Sequence, residues 1–345
     1  MDLPAAQTDF ASQVKVRSRP GRRQSPGHAT LMLVLATLFW GLSFPLAKNW
    51  QENTANCPGG PITGSLTLIG VRTILALLVF AIFRPSLFRL PTRREFALGL
   101  LLGFGNFVGS FCQLLGLSWT TPAISGFITS LSSAWVPLLI LFCFRIPIAR
   151  PTLWGICFGI AGAAVLEIDI SSGWSIGAGE VLTLVCSIVF AFVILGIDRF
   201  GRRIESTHLT VGFVAMTGLP GLILAPLLAA RAEGATPWLS WLGAALSSPV
   251  LLVDIVLLTL LCTVLAYLWM ATYQPRVPAS RAALLYLLEP VFASVFSFAW
   301  MYDTLSVRLL LGGGLILFGN LLVEIPRWLR RLRQSAKSKG DEEST

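Results

Sequence analysis

Charge is scarce in this chain. Of its 345 residues, 12% are Asp, Glu, Lys or Arg, while 54% are hydrophobic. Soluble domains carry about a quarter charged residues, so too little polar surface exists here to cover a water-soluble globule. Histidine is nearly absent, with only His28 and His208. Six cysteines occur without any paired spacing for zinc or a disulfide framework. Five of them (Cys112, Cys143, Cys157, Cys186 and Cys262) lie in apolar runs and read as small buried side chains. Only Cys57 lies in a connecting segment. No metal site is expected from this set. No ATP-binding motif is present, and the run Gly103-Phe-Gly105-Asn-Phe-Val-Gly109 has neither the spacing nor the preceding strand of a dinucleotide loop. No cofactor is therefore expected.

Hydrophobic length is what the chain has. Its apolar residues gather into runs of about 17 to 25, separated by short polar or Pro/Gly-rich breaks. A helix rises about 1.5 Å per residue, so about 20 residues cross the roughly 30 Å hydrocarbon layer. Lipid offers the backbone no hydrogen-bond partner, which leaves helices or closed barrels. Barrel strands are about 10 residues long and alternate polar with apolar. The runs here are longer and apolar all round. The expected fold is therefore an all-α integral membrane protein of ten transmembrane helices, at 31–50, 62–83, 96–117, 123–144, 151–169, 179–197, 209–230, 249–273, 279–301 and 305–325. The basic segment 1–30 is expected to be a disordered tail. It is too long for a signal-peptide n-region, and no small-residue cleavage site follows the first run cleanly, so that run is expected to be retained. Residues 326–345 form a second polar tail.

The net charge of +9 could suggest a nucleic-acid partner. Its distribution argues for topology instead. With the N-terminus placed in the cytoplasm, 22 of the 26 Lys and Arg residues fall in inner segments. Three (Lys48, Arg231 and Arg308) fall in outer ones, and Arg72 lies within a span. That asymmetry follows the positive-inside rule for ten spans with both termini cytoplasmic in a cell membrane. Trp50, Trp119, Trp174, Trp238, Trp241 and Trp300 cluster near the expected outer edges, as an aromatic belt would.

The chain also repeats itself. At an offset of 157 residues, Gly155 meets Gly312, Gly162 meets Gly319, and Glu167-Ile168 meets Glu324-Ile325. Leu131 meets Leu288, and Ser133 meets Pro290. Near an offset of 150, Trp40 meets Phe190 and Gly41 meets Ala191. Two units are expected, 31–169 and 178–325, with five spans each. Five is odd, so the second unit enters the membrane from the opposite side. Inverted repeats around a midplane site are characteristic of secondary transporters.

At ATLFWGLSFPLAK in the first span, and at SRAALLYLLEPVFASVFSF followed by LLLGGGLILFGNLLVE in the last two, the chain resembles the EamA domain of the drug/metabolite transporter superfamily. The resemblance covers about residues 31–325. It implies a ten-helix exporter or permease for small metabolites, in a family that carries amino acids, nucleosides, drugs and sugars. The chain departs from the pattern at Ser133, where a proline is common, and in the long connection 51–61.

Ionisable groups inside lipid mark candidate sites, because a central Arg, Lys or Asp costs about 2.5–3.5 kcal/mol on insertion scales. Glu289 lies ten residues into the ninth span. It reads as a substrate-amine or proton-coupling site, or as a structural acid beside the Pro290 kink. Arg72, halfway along the second span, reads as a counter-ion to Glu289 or to a substrate carboxylate, or as a snorkelling or packing residue. Asp254 is expected to be an acid near the interface. Asn106 and Gln113 are seven apart and share a helix face. Thr129, Ser132 and Ser133 share another, and Tyr286 neighbours Glu289. With Trp40 and Trp135 as apolar walls, these residues could line a binding site; they could equally form interhelical hydrogen bonds, worth about 0.6 kcal/mol each. Gly99, Gly103, Gly155 and Gly159 fall four apart in pairs, which suits close helix contact.

The expected function is a secondary transporter moving a small molecule by alternating access, with a gradient as its energy source. The expected partners are the lipid bilayer and a small-molecule substrate such as an amino acid or nucleoside, and no nucleic acid. Homodimerisation is left open. The alternative is a structural or signalling multi-pass protein, although a scaffold has no need of inverted symmetry. An enzyme is not expected, since no His lies in a span to complete an acid–base set.

Overall fold

The computed structural model describes residues 26–83, 92–120, 122–145, 147–148, 150–167, 177–201, 206–232, 237–299, 307–308, 310–319 and 321–322. The expected tail 326–345, most of the tail 1–30, and Trp174 and Trp300 lie outside them. Every element named here is helical. α1 (Pro26–Asn53), α2 (Gly60–Phe83) and α3 (Arg93–Leu117) each cross the bundle in one piece. Next come α4 (Pro122–Ser130), α5 (Ser132–Phe144) and α6 (Arg150–Glu167). α7 (Ala178–Phe200) and α8 (Ser206–Ala229) are again continuous, and a short α9 (Trp238–Leu246) follows. α10 (Pro249–Thr259) runs through a π-helical turn, Leu260–Leu265, into α11 (Ala266–Tyr273). α12 (Ala279–Tyr286), α13 (Glu289–Ala299) and α14 (Leu310–Gly319) complete the bundle.

Local chemistry sets several of these boundaries. Thr92 and Glu95 form a capping box that starts α3: the Glu95 N–H donates to Thr92 Oγ1 at 3.3 Å, and the Thr92 N–H donates to Glu95 Oε2 at 2.9 Å. At the head of α7 the Gly177 N–H donates to Glu180 Oε2 at 2.8 Å. Between α1 and α2 the chain turns through Gly59 and Gly60, at φ +84° and +70°, a region other residues rarely adopt. Cys57 is buried in that turn, and burial pushes its thiol pKa up to about 12.

Among the described residues, eight helical segments are long and apolar enough to cross a bilayer. They are α1, α2, α3, the α4–α5 pair, α7, α8, the stretch Pro249–Arg276 and the stretch Arg281–Ala299. The other two expected spans coincide with α6 and α14. α6 has 18 residues but carries Arg150 and Glu167 at its ends, and α14 is described over only Leu310–Gly319. Large apolar side chains point outward, among them Ile82, Leu101, Phe142, Phe192 and Leu227. Threonine and serine side chains are buried inside, many bonded to their own helix, as Thr37 Oγ1 is to the Leu33 carbonyl at 2.8 Å. An apolar exterior around a polar interior suits lipid as the solvent.

Glycines let the helices approach closely. A Cβ on Gly103 would lie 2.6 Å from the Phe213 carbonyl of α8. Between α6 and α14 the contact is reciprocal: a Cβ on Gly162 would lie 2.5 Å from the Gly312 carbonyl, and one on Gly319 would lie 2.5 Å from the Gly155 carbonyl. Two spans are interrupted. The first breaks at Leu131, between α4 and α5, and the second at Leu287-Leu288, between α12 and α13. These points are the residues that the 157-residue offset pairs.

Three of the tryptophans expected near the outer edges, Trp50, Trp238 and Trp241, pack against other parts of the protein. Trp50 is fully buried and meets Trp241 edge-on, with ring centroids 6.4 Å apart. Trp238 of α9 donates from Nε1 to Thr67 Oγ1 at 2.9 Å. α9 thus packs over the ends of α1 and α2, where the sequence suggested only a connection.

Candidate functional site

The interior of the bundle holds a cavity that opens through a mouth, with about 710 Å³ of space free of atoms when that open mouth is included. α1 contributes Trp40 and Ser43, α2 contributes Arg72, and α3 contributes Asn106, Ser110 and Gln113. The two interrupted spans contribute residues on either side of their breaks: Thr129 and Ser132 in one, Tyr286 and Glu289 in the other. Phe190 from α7, Cys262 from the π-helical turn, and Tyr267 and Met270 from α11 close the wall. Both breaks are single tightened turns that keep their hydrogen bonds, the Leu131 N–H donating to the Ile128 carbonyl at 3.2 Å and the Leu288 N–H to the Leu285 carbonyl at 3.1 Å, and side chains from both halves of each span reach one cavity. The π-helical turn adds a third irregularity at the same cavity, where such turns are often functional.

A hydrogen-bonded frame holds most of the polar wall. Asn106 Nδ2 donates to Thr217 Oγ1 at 3.2 Å and to the Tyr267 hydroxyl at 3.0 Å. Gln113 Nε2 donates to Thr129 Oγ1 at 3.1 Å, joining α3 to α4. The Tyr286 hydroxyl donates to Gln274 Oε1 at 2.9 Å, and Gln274 Nε2 donates to the Ile194 carbonyl at 2.8 Å. Trp40 meets Tyr286 edge-on at 5.3 Å and Tyr267 at 6.1 Å, measured between ring centroids. Ser133 Oγ donates to the Ala283 carbonyl at 2.6 Å, tying α5 to α12 where the family pattern commonly has proline.

The two charged groups on the wall stand apart from that frame. Arg72 is only 7% exposed, and its Nε has no acceptor. Glu289 is partly buried and heads α13. Neither side chain has a hydrogen bond or ion pair to a described residue, and they are not paired with each other. Arg281, just as buried, donates from Nη2 to Thr30 Oγ1 at 2.9 Å. Among the described residues, no group of three His, Cys, Asp or Glu is placed to hold a metal ion.

Seven of the eight residues singled out from sequence therefore meet at one cavity: Trp40, Arg72, Asn106, Gln113, Thr129, Tyr286 and Glu289. Trp135 lies elsewhere, between α5 and α7, where its Nε1 donates to Ser187 Oγ at 3.2 Å. Asp254, five residues into its helix, is buried between helices and accepts from Asn49 Nδ2 at 2.6 Å. Sequence reading passed over Ser43, Ser110, Phe190, Cys262, Tyr267 and Met270. Ser110 carried a usable signal, because it lies four residues from Asn106 and three from Gln113.

Apolar helices closed around a polar chamber define a multi-pass membrane protein. The EamA-like transporter family model matches the chain twice, over residues 28–168 and 177–325. The chain belongs to that family, within the drug/metabolite transporter superfamily. It is similar to an uncharacterized transporter of Archaeoglobus fulgidus, 24% identical over 299 residues and covering 86% of each chain. A crystal structure of a protein shares the fold with a TM-score of 0.66 at 19% identity, covering 89% of this chain and 99% of the other.

Proposed function

We propose that this protein is a secondary transporter that carries a small molecule through the central cavity by alternating access. The observation that carries the proposal is the polar chamber, walled where two helices break and where one turn is π-helical. Trp40, Arg72, Asn106, Gln113, Thr129, Tyr286 and Glu289 are the proposed substrate-binding residues, and Glu289 is the proposed proton-coupling group.

The proposed architecture is two inverted five-helix repeats, with both termini in the cytoplasm and the chain in the cell membrane. Three features support this reading. The family model matches the two halves separately. The breaks at Leu131 and Leu287-Leu288 fall at equivalent points of the two halves. The reciprocal contact of Gly162 with Gly312 and of Gly319 with Gly155 is what a two-fold relation between the halves requires. One unit in two orientations can exchange two related packings, each opening the cavity to one face. Substrate then shifts the balance between them only through its differential contacts. With no ATP-binding motif, the energy comes from a gradient.

Purified protein in proteoliposomes, loaded with a radiolabelled panel of amino acids, nucleosides and sugars, tests the proposal by counterflow. Saturable exchange of at least one compound class, lowered by Trp40→Ala, is expected. Chemical conversion of a compound without movement across the bilayer would contradict transport.

A further inference from the structure

Resting on the cavity as the transport site, we infer that the π-helical turn Leu260–Leu265 is a register switch: by straightening, it turns α11 about its axis and replaces Tyr267 and Met270 on the chamber wall with Ala266 and Trp269.

The two halves of the chain line the chamber with helices that differ by one residue. On α3 the wall residues are Asn106, Ser110 and Gln113, four and three apart, the spacing of one face of a regular helix. On the span α10–α11 they are Cys262, Tyr267 and Met270, five and three apart. Ser110 meets Tyr267 and Gln113 meets Met270 at the offset of 157 residues, whereas Asn106 meets Cys262 at 156. One residue is thus inserted between Cys262 and Tyr267, and the π-helical turn takes it up. The Ala266 N–H there donates to the Leu261 carbonyl, five residues back. Thr263 shows the same widening. Its hydroxyl donates to the Leu258 carbonyl, also five back, at 2.8 Å, while those of Thr37, Thr183 and Thr217 reach four back on regular helices.

An inserted residue gives the span two ways to run. Absorbed in a widened turn, it leaves Tyr267 and Met270 on the face that Cys262 begins. Left in a regular helix, it turns α11 by about 100° and advances it by about 1.5 Å. The widened turn is held from outside. Cys262 Sγ donates to the Phe39 carbonyl of α1 at 2.9 Å, and the Tyr267 hydroxyl accepts from Asn106 of α3 at 3.0 Å. Tyr267 also meets Phe213 of α8 edge-on, with ring centroids 5.3 Å apart. Straightening breaks the contacts of Tyr267 together, which makes the turn a two-state element coupled to its neighbours. α3 has no such turn: it starts in the Thr92–Glu95 capping box and packs through Gly103 onto α8. One half supplies a fixed wall and the other a wall that turns. A substrate that touches Tyr267 and Met270 favours the widened turn, and an empty chamber releases it.

Cysteines at two positions read the register in the purified, full-length protein. Met270→Cys lies on the wall in the widened turn, while Ala266→Cys is fully buried there and reaches the wall only after straightening. A charged methanethiosulfonate labels thiols that face the aqueous chamber, and peptide mass spectrometry tells them from the native cysteines. Ala266→Cys is expected to react about ten to a thousand times more slowly than Met270→Cys, as a minor state would. Tyr267→Phe removes the bond to Asn106 and should speed labelling at Ala266→Cys by about three- to tenfold without speeding it at Met270→Cys; a general loosening would speed both. Deletion of Thr263 sets the wall residues of α10–α11 four and three apart, so a regular helix then carries the face by itself. The deletion should keep labelling at Met270→Cys and lose it at Ala266→Cys. It should still be stabilised thermally by a compound that the unaltered protein exchanges in counterflow, yet fail to exchange it. Should the deletion not fold, the Tyr267→Phe comparison decides. Labelling at Ala266→Cys that Tyr267→Phe leaves unchanged, or that survives the deletion, overturns the second register. Counterflow that survives the deletion overturns the role of the turn in transport. Absence of exchange for every compound in the unaltered protein would remove the transporter reading, and this role with it, whatever the labelling shows.

Discussion

Arg72 and Arg281 are equally buried, yet Arg281 donates to Thr30 while Arg72 Nε meets no acceptor among the described residues. No count of charges in the sequence contains that contrast. What the sequence does contain is the rarity of polar side chains at midspan. Seven of the singled-out residues reach the cavity because polar groups avoid lipid and turn inward together. Trp135 does not, since an aromatic ring is as much at home between two packed helices as on a cavity wall. Glu289 carries a prediction at this scale. The titratable groups facing it are Tyr286 on its own span and Cys186 on α7, with Arg72 elsewhere on the wall. If Glu289 couples protons, Glu289→Gln removes the pH dependence of flux while the protein keeps its fold and gel-filtration profile. A pH profile unchanged by the substitution would assign coupling elsewhere.

At the scale of the element, spans were legible and their irregularities were not. Long apolar runs specify membrane helices by length alone. The breaks at Leu131 and Leu287-Leu288 are single turns inside spans that stay apolar on average, so a hydropathy average passes over them, although Thr129, Ser130, Ser132 and Ser133 flank the first and Glu289 follows the second. Pro290 hints at the second break. At the first, Pro137 lies well inside α5, away from the interruption. The π-helical turn hides more. One extra residue turns the helix beyond it by about 100°, so the face presented by Tyr267 and Met270 cannot be extrapolated from the start of the span. Glycine spacing was more informative, because Gly99 and Gly103 do lie where α3 meets α8. Gly103→Val should destabilise the protein by about 1–3 kcal/mol, since the Phe213 carbonyl is backbone and cannot swing aside. Gly243→Ala, where a Cβ meets nothing within 4 Å, is the neutral control. Thermal unfolding in detergent reads the difference; equal melting temperatures would show that α3 and α8 are not packed this closely.

For the whole molecule, scarce charge and long apolar runs already required a membrane protein of many spans, and the basic residues in the connections are the ground for its proposed direction. The eight segments that meet the length and apolarity of a span leave α6 and α14 to complete the proposed ten. Their reciprocal glycine contact is the reason to count them as the closing pair of the two halves. In the proposed mechanism the halves are upside down to each other, and alternating access is an exchange between two orientations of one unit. Epitope tags inserted near residue 170 and near residue 335, probed in intact and in permeabilised cells, test that most directly. The account predicts the first tag accessible from outside the cell and the second only after permeabilisation; both tags on one face of the membrane would contradict it.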